Sequence, residues 1–150
     1  MDCDGVLTDG RLYFSARGEE LKVFDVRDGL GIVSWHKAGN WSGIISGRDA
    51  GEIISKRAEE LGIHFVRVSS NDKVRDLEEI IEPLGIDRKS VAYIGDDVGD
   101  IDIMKQVGFA VAVADAAEET KAVAAYITKA RGGRGAVREV TDMLLAHDGE

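Results

Sequence analysis

Short apolar runs rich in β-branched residues alternate along this chain with amphipathic helical periods, and a small, polar or acidic cluster follows nearly every run. That alternation constrains the fold more than any other feature. Strands separated by helices must run parallel, and right-handed crossovers then cover both faces of the sheet. Strands are predicted at 41–46, 64–68, 91–94, 109–113 and 126–128. Helices are predicted over 28–38, 49–61, 72–84, 100–107, 117–125 and 136–146. Residues 11–15 and 21–25 read as the two strands of a hairpin around a turn at 16–18. Ile53, Ile54, Ala58 and Leu61 share one helical face, with Gly62 as the stop. Val74, Leu77, Ile80, Ile81 and Leu84 form the inward face of the next helix. The expected fold is α/β: a Rossmann-like parallel sheet with helices on both faces, plus the hairpin. At 150 residues the chain reads as one domain over 1–150, with the hairpin at 11–25 and a C-terminal tail at 129–150.

Ligands of such sheets bind beyond the carboxyl ends of the strands, so the residues that follow each strand carry the functional reading. They are Asp2 and Asp4 in "DCDG"; Ser46, Gly47 and Arg48 in "SGR"; Lys73 at the start of a helix; and Asp96, Asp97 and Asp100 in "GDDVGD". Carboxylates at i and i+2 of a strand share a face and can hold a hard divalent cation through oxygen. An acidic turn is the plain alternative for "DCDG", and a helix cap for "GDDVGD". Capping needs one acid, however, and several packed acids repel unless a cation is present. Ser46 and Gly47 can offer a hydroxyl and backbone N–H groups to an anion. Lys73 is electrostatically misplaced at a helix N-terminus unless it meets a negative group.

The formal net charge of −9 argues against nucleic acid as a partner. It also argues against an anionic substrate, unless a metal or a local basic cluster reverses the field. The single cysteine, Cys3, allows no internal disulfide; it lies between two aspartates and is expected to point into the core. His36, His64 and His147 show no metal-ligand spacing. No apolar run approaches the roughly 20 residues of a membrane span, and Met1 is followed at once by acid, so a cytoplasmic location is expected.

Taken together and in order, "DxDGVLTDG", "SGR", Lys73 and "GDDxxD" resemble the haloacid dehalogenase superfamily of phosphatases. The segments "DGVLTDGRLYFS", "ELKVFDVRDGLGI", "ISGR", "GDDVGDIDIM" and "GGRGAVREV" are similar to its capless, tetrameric subfamily acting on 3-deoxy-D-manno-octulosonate 8-phosphate in lipopolysaccharide biosynthesis. The resemblance implies Asp2 as nucleophile, forming an aspartyl phosphate, and Asp4 as general acid and base. It implies Mg²⁺ held by Asp2, the Asp4 backbone carbonyl and Asp96, with Asp97 and Asp100 supporting the metal or orienting Lys73. Ser46, Gly47 and Lys73 would bind the phosphoryl group. Thr8, Arg27, Arg48 and Arg134 are the substrate-binding candidates, Arg134 for the sugar carboxylate, in a tail whose paired glycines suggest a flexible loop. No segment is long enough for a cap. The resemblance implies that neighbouring subunits of a homotetramer supply the lid, with the hairpin as the oligomer element. In this family the nucleophile ends an apolar strand; only Met1 precedes Asp2 here, so residues upstream are expected. Serine replaces the commoner threonine in "SGR" and keeps its hydroxyl.

Other readings are a nonulosonate 9-phosphate phosphatase of sialic acid or KDN type, and a non-catalytic paralogue or assembly domain of a nonulosonate cytidylyltransferase. A response-regulator receiver is disfavoured because the lysine precedes the "GDD" cluster. A phosphomutase would need a cap.

Overall fold

The computed structural model describes residues 1–147, so the last three residues of the predicted tail lie outside it. The elements run β1 (Tyr13–Ser15), β2 (Gly18–Leu21), α1 (Val26–Lys37), β3 (Gly43–Ile45), α2 (Gly51–Leu61), β4 (Phe65–Arg67) and α3 (Lys73–Ile81). Then come β5 (Ala92–Gly95), α4 (Ile101–Met104), β6 (Phe109–Ala112), α5 (Glu118–Val123), β7 (Tyr126–Ile127) and α6 (Ala136–His147). Strand β3 pairs in parallel with β4, and β5 with β6 and β6 with β7 likewise. Met1 and Asp2 join these halves. The Met1 amino group donates to Gly43 O, Ile45 N donates to Met1 O, and Asp2 N donates to Ile94 O, all at 3.0–3.1 Å. The result is the Rossmann-like parallel arrangement that the alternation predicts. Below this bridge lies an apolar cavity of about 480 Å³ between Gly43, Ile45, Ala92, Ile94 and Val140; no acidic or basic side chain lines it.

Helix starts follow local chemistry. Asp25 caps α1 by accepting from Arg27 N (2.8 Å), and Asp72 caps α3 by accepting from Arg75 N (3.0 Å). Gly62 ends α2 with φ +70°. The core gathers Ile32, Ile44, Ile54, Tyr93, Ile103, Met104, Val111 and Val137, and Cys3 is buried among them.

Four expectations change. The hairpin's return strand is Gly18–Leu21 rather than 21–25, because only Ala16 and Arg17 form the turn and loop length sets register. Helix α3 stops at Ile81, where Pro83 has no N–H to continue it; Leu84 sits in a 3-10 turn and is exposed. The helix expected at 100–107 is the shorter α4, preceded by a 3-10 turn over Val98–Asp100. Beyond Asp2 the chain turns instead of continuing as strand, with the N–H groups of Val6, Leu7 and Thr8 all converging on Cys3 O (2.9–3.2 Å). Asp2 and Asp4 therefore do not share a strand face.

The paired glycines of the tail serve close packing, not mobility. Gly133 N donates to Val6 O (2.8 Å), which clamps the tail onto the turn after Asp2, and Gly132 N donates to Asp115 Oδ1 (2.9 Å), which ties it to the segment after β6. Asp28, buried on α1, accepts from Arg138 N (2.9 Å) and Gly135 N (3.3 Å) and so caps α6 from a neighbouring helix. Asp28→Ala strands both donors. It is expected to lower stability by about 1–3 kcal/mol, read as a drop in urea midpoint at unchanged slope.

Candidate active site

The carboxyl ends of the strands open on a cleft of about 720 Å³. Asp2, Asp4, Ser46, Gly47, Arg48, Lys73, Asp96, Asp97 and Asp100 all line it. The bridging position of residue 2 places the Asp2 carboxylate at the middle of the rim. Its Oδ1 accepts from Cys3 N (2.7 Å) and its Oδ2 pairs with Lys73 Nζ (2.9 Å). Lys73 opens α3, so its stem leaves the helix toward the rim, and its Nζ also bonds Asp100 Oδ1 at 2.8 Å. Asp100 is almost fully buried. It accepts a 2.7 Å bond from the Tyr93 hydroxyl and bonds from the N–H groups of Asp96 (3.0 Å) and Asp97 (3.4 Å). Asp97 caps the turn over Val98–Asp100.

These contacts split the acids electrostatically. Burial raises Asp2 from its ordinary 3.8 to about 6; the charge on Asp100 adds to this and Lys73 opposes it. Burial, then Asp2, then Asp100 push Asp96 up to about 8. Burial works against ionised Asp100 too, but Lys73 and the Tyr93 hydroxyl outweigh it and hold this carboxyl below its usual value. Lys73 stays charged because Asp2 and Asp100 overcome its burial.

Oxygen atoms of Asp2, Asp96 and Asp100 lie within 4.8 Å of one another. Gly5 makes room for this cluster, since a Cβ there would fall 1.8 Å from Asp96 Oδ2. An all-oxygen donor set in which burial, and then repulsion between the acids, makes Asp2 and Asp96 hold protons to unusually high pH fits a hard divalent cation. The sign of the pH dependence follows. Both raised carboxyls bind more protons folded than unfolded, so without metal they cost stability as pH rises from about 4 to about 8. A cation reverses that cost only where they are ionised. Adding Mg²⁺ is therefore expected to raise the melting temperature by on the order of 5 °C at pH 8 and by much less at pH 6, checked by paired thermal melts.

Ser46 is buried, and its Oγ accepts from Arg48 N (3.3 Å). The Asp4 side chain leaves the acid cluster. Its Oδ1 pairs with Lys22 Nζ (2.6 Å), and its Oδ2 lies 3.8 Å from Arg48 Nε. Three substrate-binding candidates are not brought to the cleft of this chain. Thr8 is buried; its Oγ1 accepts from Gly5 N (3.3 Å) and Gly10 N (3.1 Å), and so ties the turn. Arg27 is exposed and paired with Asp25 (2.7 Å). Arg134 is exposed and meets Arg27 through its backbone carbonyl (3.5 Å). Sequence reasoning missed Tyr93, hidden in an apolar strand, and the Lys22–Glu19 pair of the hairpin.

A parallel sheet whose strand ends present clustered carboxylates and one lysine suits phosphoryl chemistry, with the acids placed for a cation and the lysine for an anion. The chain belongs to the haloacid dehalogenase-like hydrolases, whose family model matches residues 48–139. It is 43% identical over 150 residues to the 3-deoxy-D-manno-octulosonate 8-phosphate phosphatase of Escherichia coli K12, covering 100% of this chain and 79% of that protein. The Moraxella catarrhalis 3-deoxy-D-manno-octulosonate 8-phosphate phosphatase, solved with magnesium, phosphate and KDO, superposes with a TM-score of 0.93 at 40% identity, over 97% of this chain and 83% of that one. The cobalt-bound Haemophilus influenzae deoxy-D-mannose-octulosonate 8-phosphate phosphatase superposes with a TM-score of 0.95 at 38% identity, over 99% and 86%.

Proposed function

We propose that this protein hydrolyses the phosphate monoester of 3-deoxy-D-manno-octulosonate 8-phosphate with Mg²⁺ as cofactor, releasing the sugar acid and phosphate. The observation that carries this reading is the convergence of Asp2, Asp96, Asp100 and Lys73 on one rim, in a chain similar over its whole length to phosphatases of that ester. Asp2 and Asp96 would hold the ion, with the Asp4 backbone carbonyl and with Asp97 and Asp100 in support. When bound, the ion neutralises phosphoryl charge that would otherwise repel a carboxylate nucleophile.

The residues of the chain do the rest. Cys3 N and Lys73 fix the Asp2 carboxylate. Its oxygen attacks phosphorus, the ester P–O bond breaks, and Asp4 gives a proton to the departing alcohol. Asp4 then takes a proton from the water that hydrolyses the aspartyl phosphate. Lys73, Ser46 and Gly47 hold the phosphoryl oxygens in place, and Arg48 borders the leaving group.

The lid is proposed to come from neighbouring copies in a cytoplasmic homotetramer. The hairpin exposes Leu12, Tyr13, Phe14 and Leu21, with Phe14 68% exposed, an apolar surface suited to burial between subunits. Arg134 and Arg27 would reach substrate only in that assembly.

The test is phosphate release from the eight-carbon ester and from a nine-carbon nonulosonate 9-phosphate, with Mg²⁺ and with EDTA. Mg²⁺-dependent release with a higher kcat/KM for the eight-carbon ester is expected. Preference for the nine-carbon ester would reassign the substrate, and absence of release from both would point to a non-catalytic paralogue.

A further inference from the structure

The hairpin reaches the cleft through one acid to which the reaction above gives no role. Glu19 lies on β2, and its side chain is only 6% exposed. Its Oε1 accepts from Lys22 Nζ at 2.6 Å, and the Lys22 side chain is 0% exposed. Its Oε2 accepts from Arg48 Nη2 at 3.4 Å. A carboxylate this buried stays with its partners, and Lys22 offsets the cost of placing its charge there. Arg48 is different. Its backbone is pinned, since its N–H donates to Ser46 Oγ (3.3 Å) and its carbonyl accepts from Ser69 N (3.2 Å). Its side chain is 43% exposed and lines the cleft.

We infer that Glu19, seated by Lys22, is the positioning residue that aims Arg48 at the leaving alcohol and so sets how tightly the ester binds; this rests on the reading of the cleft as a sugar-phosphate site. A guanidinium left unpaired in this cleft would have other partners. Asp96, Asp97 and Asp100 line the same space, and an arginine drawn to them would leave the alcohol and compete with the cation. Glu19 ties the fork to the hairpin side instead. Asp4 adds to this weakly, because its Oδ2 lies 3.8 Å from Arg48 Nε, too far for a hydrogen bond. Nη2 and Nε then face carboxylates of the protein, and the two N–H groups of Nη1 are left for hydroxyl or carboxylate oxygens of the alcohol. A fork ordered before substrate arrives loses little further freedom on binding, which tightens the complex. Because Glu19 belongs to β2, the seating of the hairpin becomes a condition for tight binding of the ester.

The test is a double-mutant cycle on the Mg²⁺-loaded protein with the eight-carbon ester. Glu19→Gln keeps the shape and removes the charge. It is expected to raise KM by about 5- to 10-fold, the effect of having to order one long side chain on binding, with kcat changed by less than about twofold. Arg48→Met is expected to raise KM at least as much. In the Arg48→Met background Glu19→Gln should then add less than about twofold, because its effect passes through Arg48. A Glu19 that is merely structural, or that acts through Lys22 and Asp4, would lower kcat and carry its full effect into that background; either result overturns the inference. An unchanged KM in either single variant overturns it too. Glu19→Asp keeps a charge for Lys22 but draws it back by one methylene, and it carries the same cycle if Glu19→Gln does not fold. A wild-type protein that releases no phosphate would instead overturn the reading of the cleft.

Discussion

Asp2→Asn is expected to abolish phosphate release, with kcat lowered by at least about 10⁴-fold, while the protein remains folded and melts no lower than the wild type. The two halves of this result have different causes. The amide is not a nucleophile toward phosphorus, so the aspartyl phosphate cannot form, and no other carboxylate occupies the same position between Cys3 N and Lys73. Stability goes the other way. Asp2 is a buried acid whose charge is disfavoured by burial and by Asp100. Replacing it with a neutral isostere removes that repulsion, so in metal-free buffer above neutral pH the variant should be at least as stable. Parallel progress curves and thermal melts check both. A variant that loses activity because it unfolds would assign Asp2 a structural role instead.

Gly132→Ala is expected to be severely damaging, although it adds a single methyl group. A Cβ there would lie 1.7 Å from Gly5 O and 2.6 Å from Gly5 C, both backbone atoms with no freedom to retreat. Gly5 itself sits at φ +86° against Asp96, in the turn that leaves the nucleophile. The tail, that turn and the acid cluster are thus stacked in contact. Relieving the clash means pulling the tail off the turn, which breaks the bonds from Gly133 N to Val6 O and from Gly132 N to Asp115. The expected loss is more than about 3 kcal/mol, with insoluble expression or a sharply lowered urea midpoint as the readout. Gly39→Ala makes a control. It also has a positive φ but no atom within 4 Å of its Cβ, and it should cost only the smaller backbone strain, about 1 kcal/mol.

These two positions show where sequence reasoning reaches and where it stops. Asp2, Ser46, Lys73, Asp96 and Asp100 are legible because the fold places functional groups after strands, and apolar runs mark strands without any tertiary knowledge. Asp28 and Gly132 are not legible in that way. An acid in a first helical turn reads as a partner for its own helix, and nothing local says that Asp28 reaches α6. Paired glycines serve both mobility and close approach, and only the neighbouring backbone decides between them. Thr8 belongs to the "DxDGVLTDG" motif that carries the resemblance, yet the turn after Asp2 folds it inward, where its Oγ1 accepts from Gly5 N and Gly10 N. Lys22 is not legible because its contact with Asp4 depends on hairpin register, and the sequence predicts a longer turn than Ala16 and Arg17 form. Tyr93 reads as core, and it is core; only its hydroxyl belongs to the site.

The most direct test of the central claim, phosphoryl transfer through Asp2, is to trap the intermediate. The Mg²⁺-loaded protein would be mixed with 3-deoxy-D-manno-octulosonate 8-phosphate, quenched within the first turnover and reduced with borohydride, which converts an aspartyl phosphate to homoserine. The expected result is homoserine at position 2 and nowhere else, absent with EDTA. Phosphate released at the full rate with Asp2 unmodified, or modification at another carboxylate, would contradict the account.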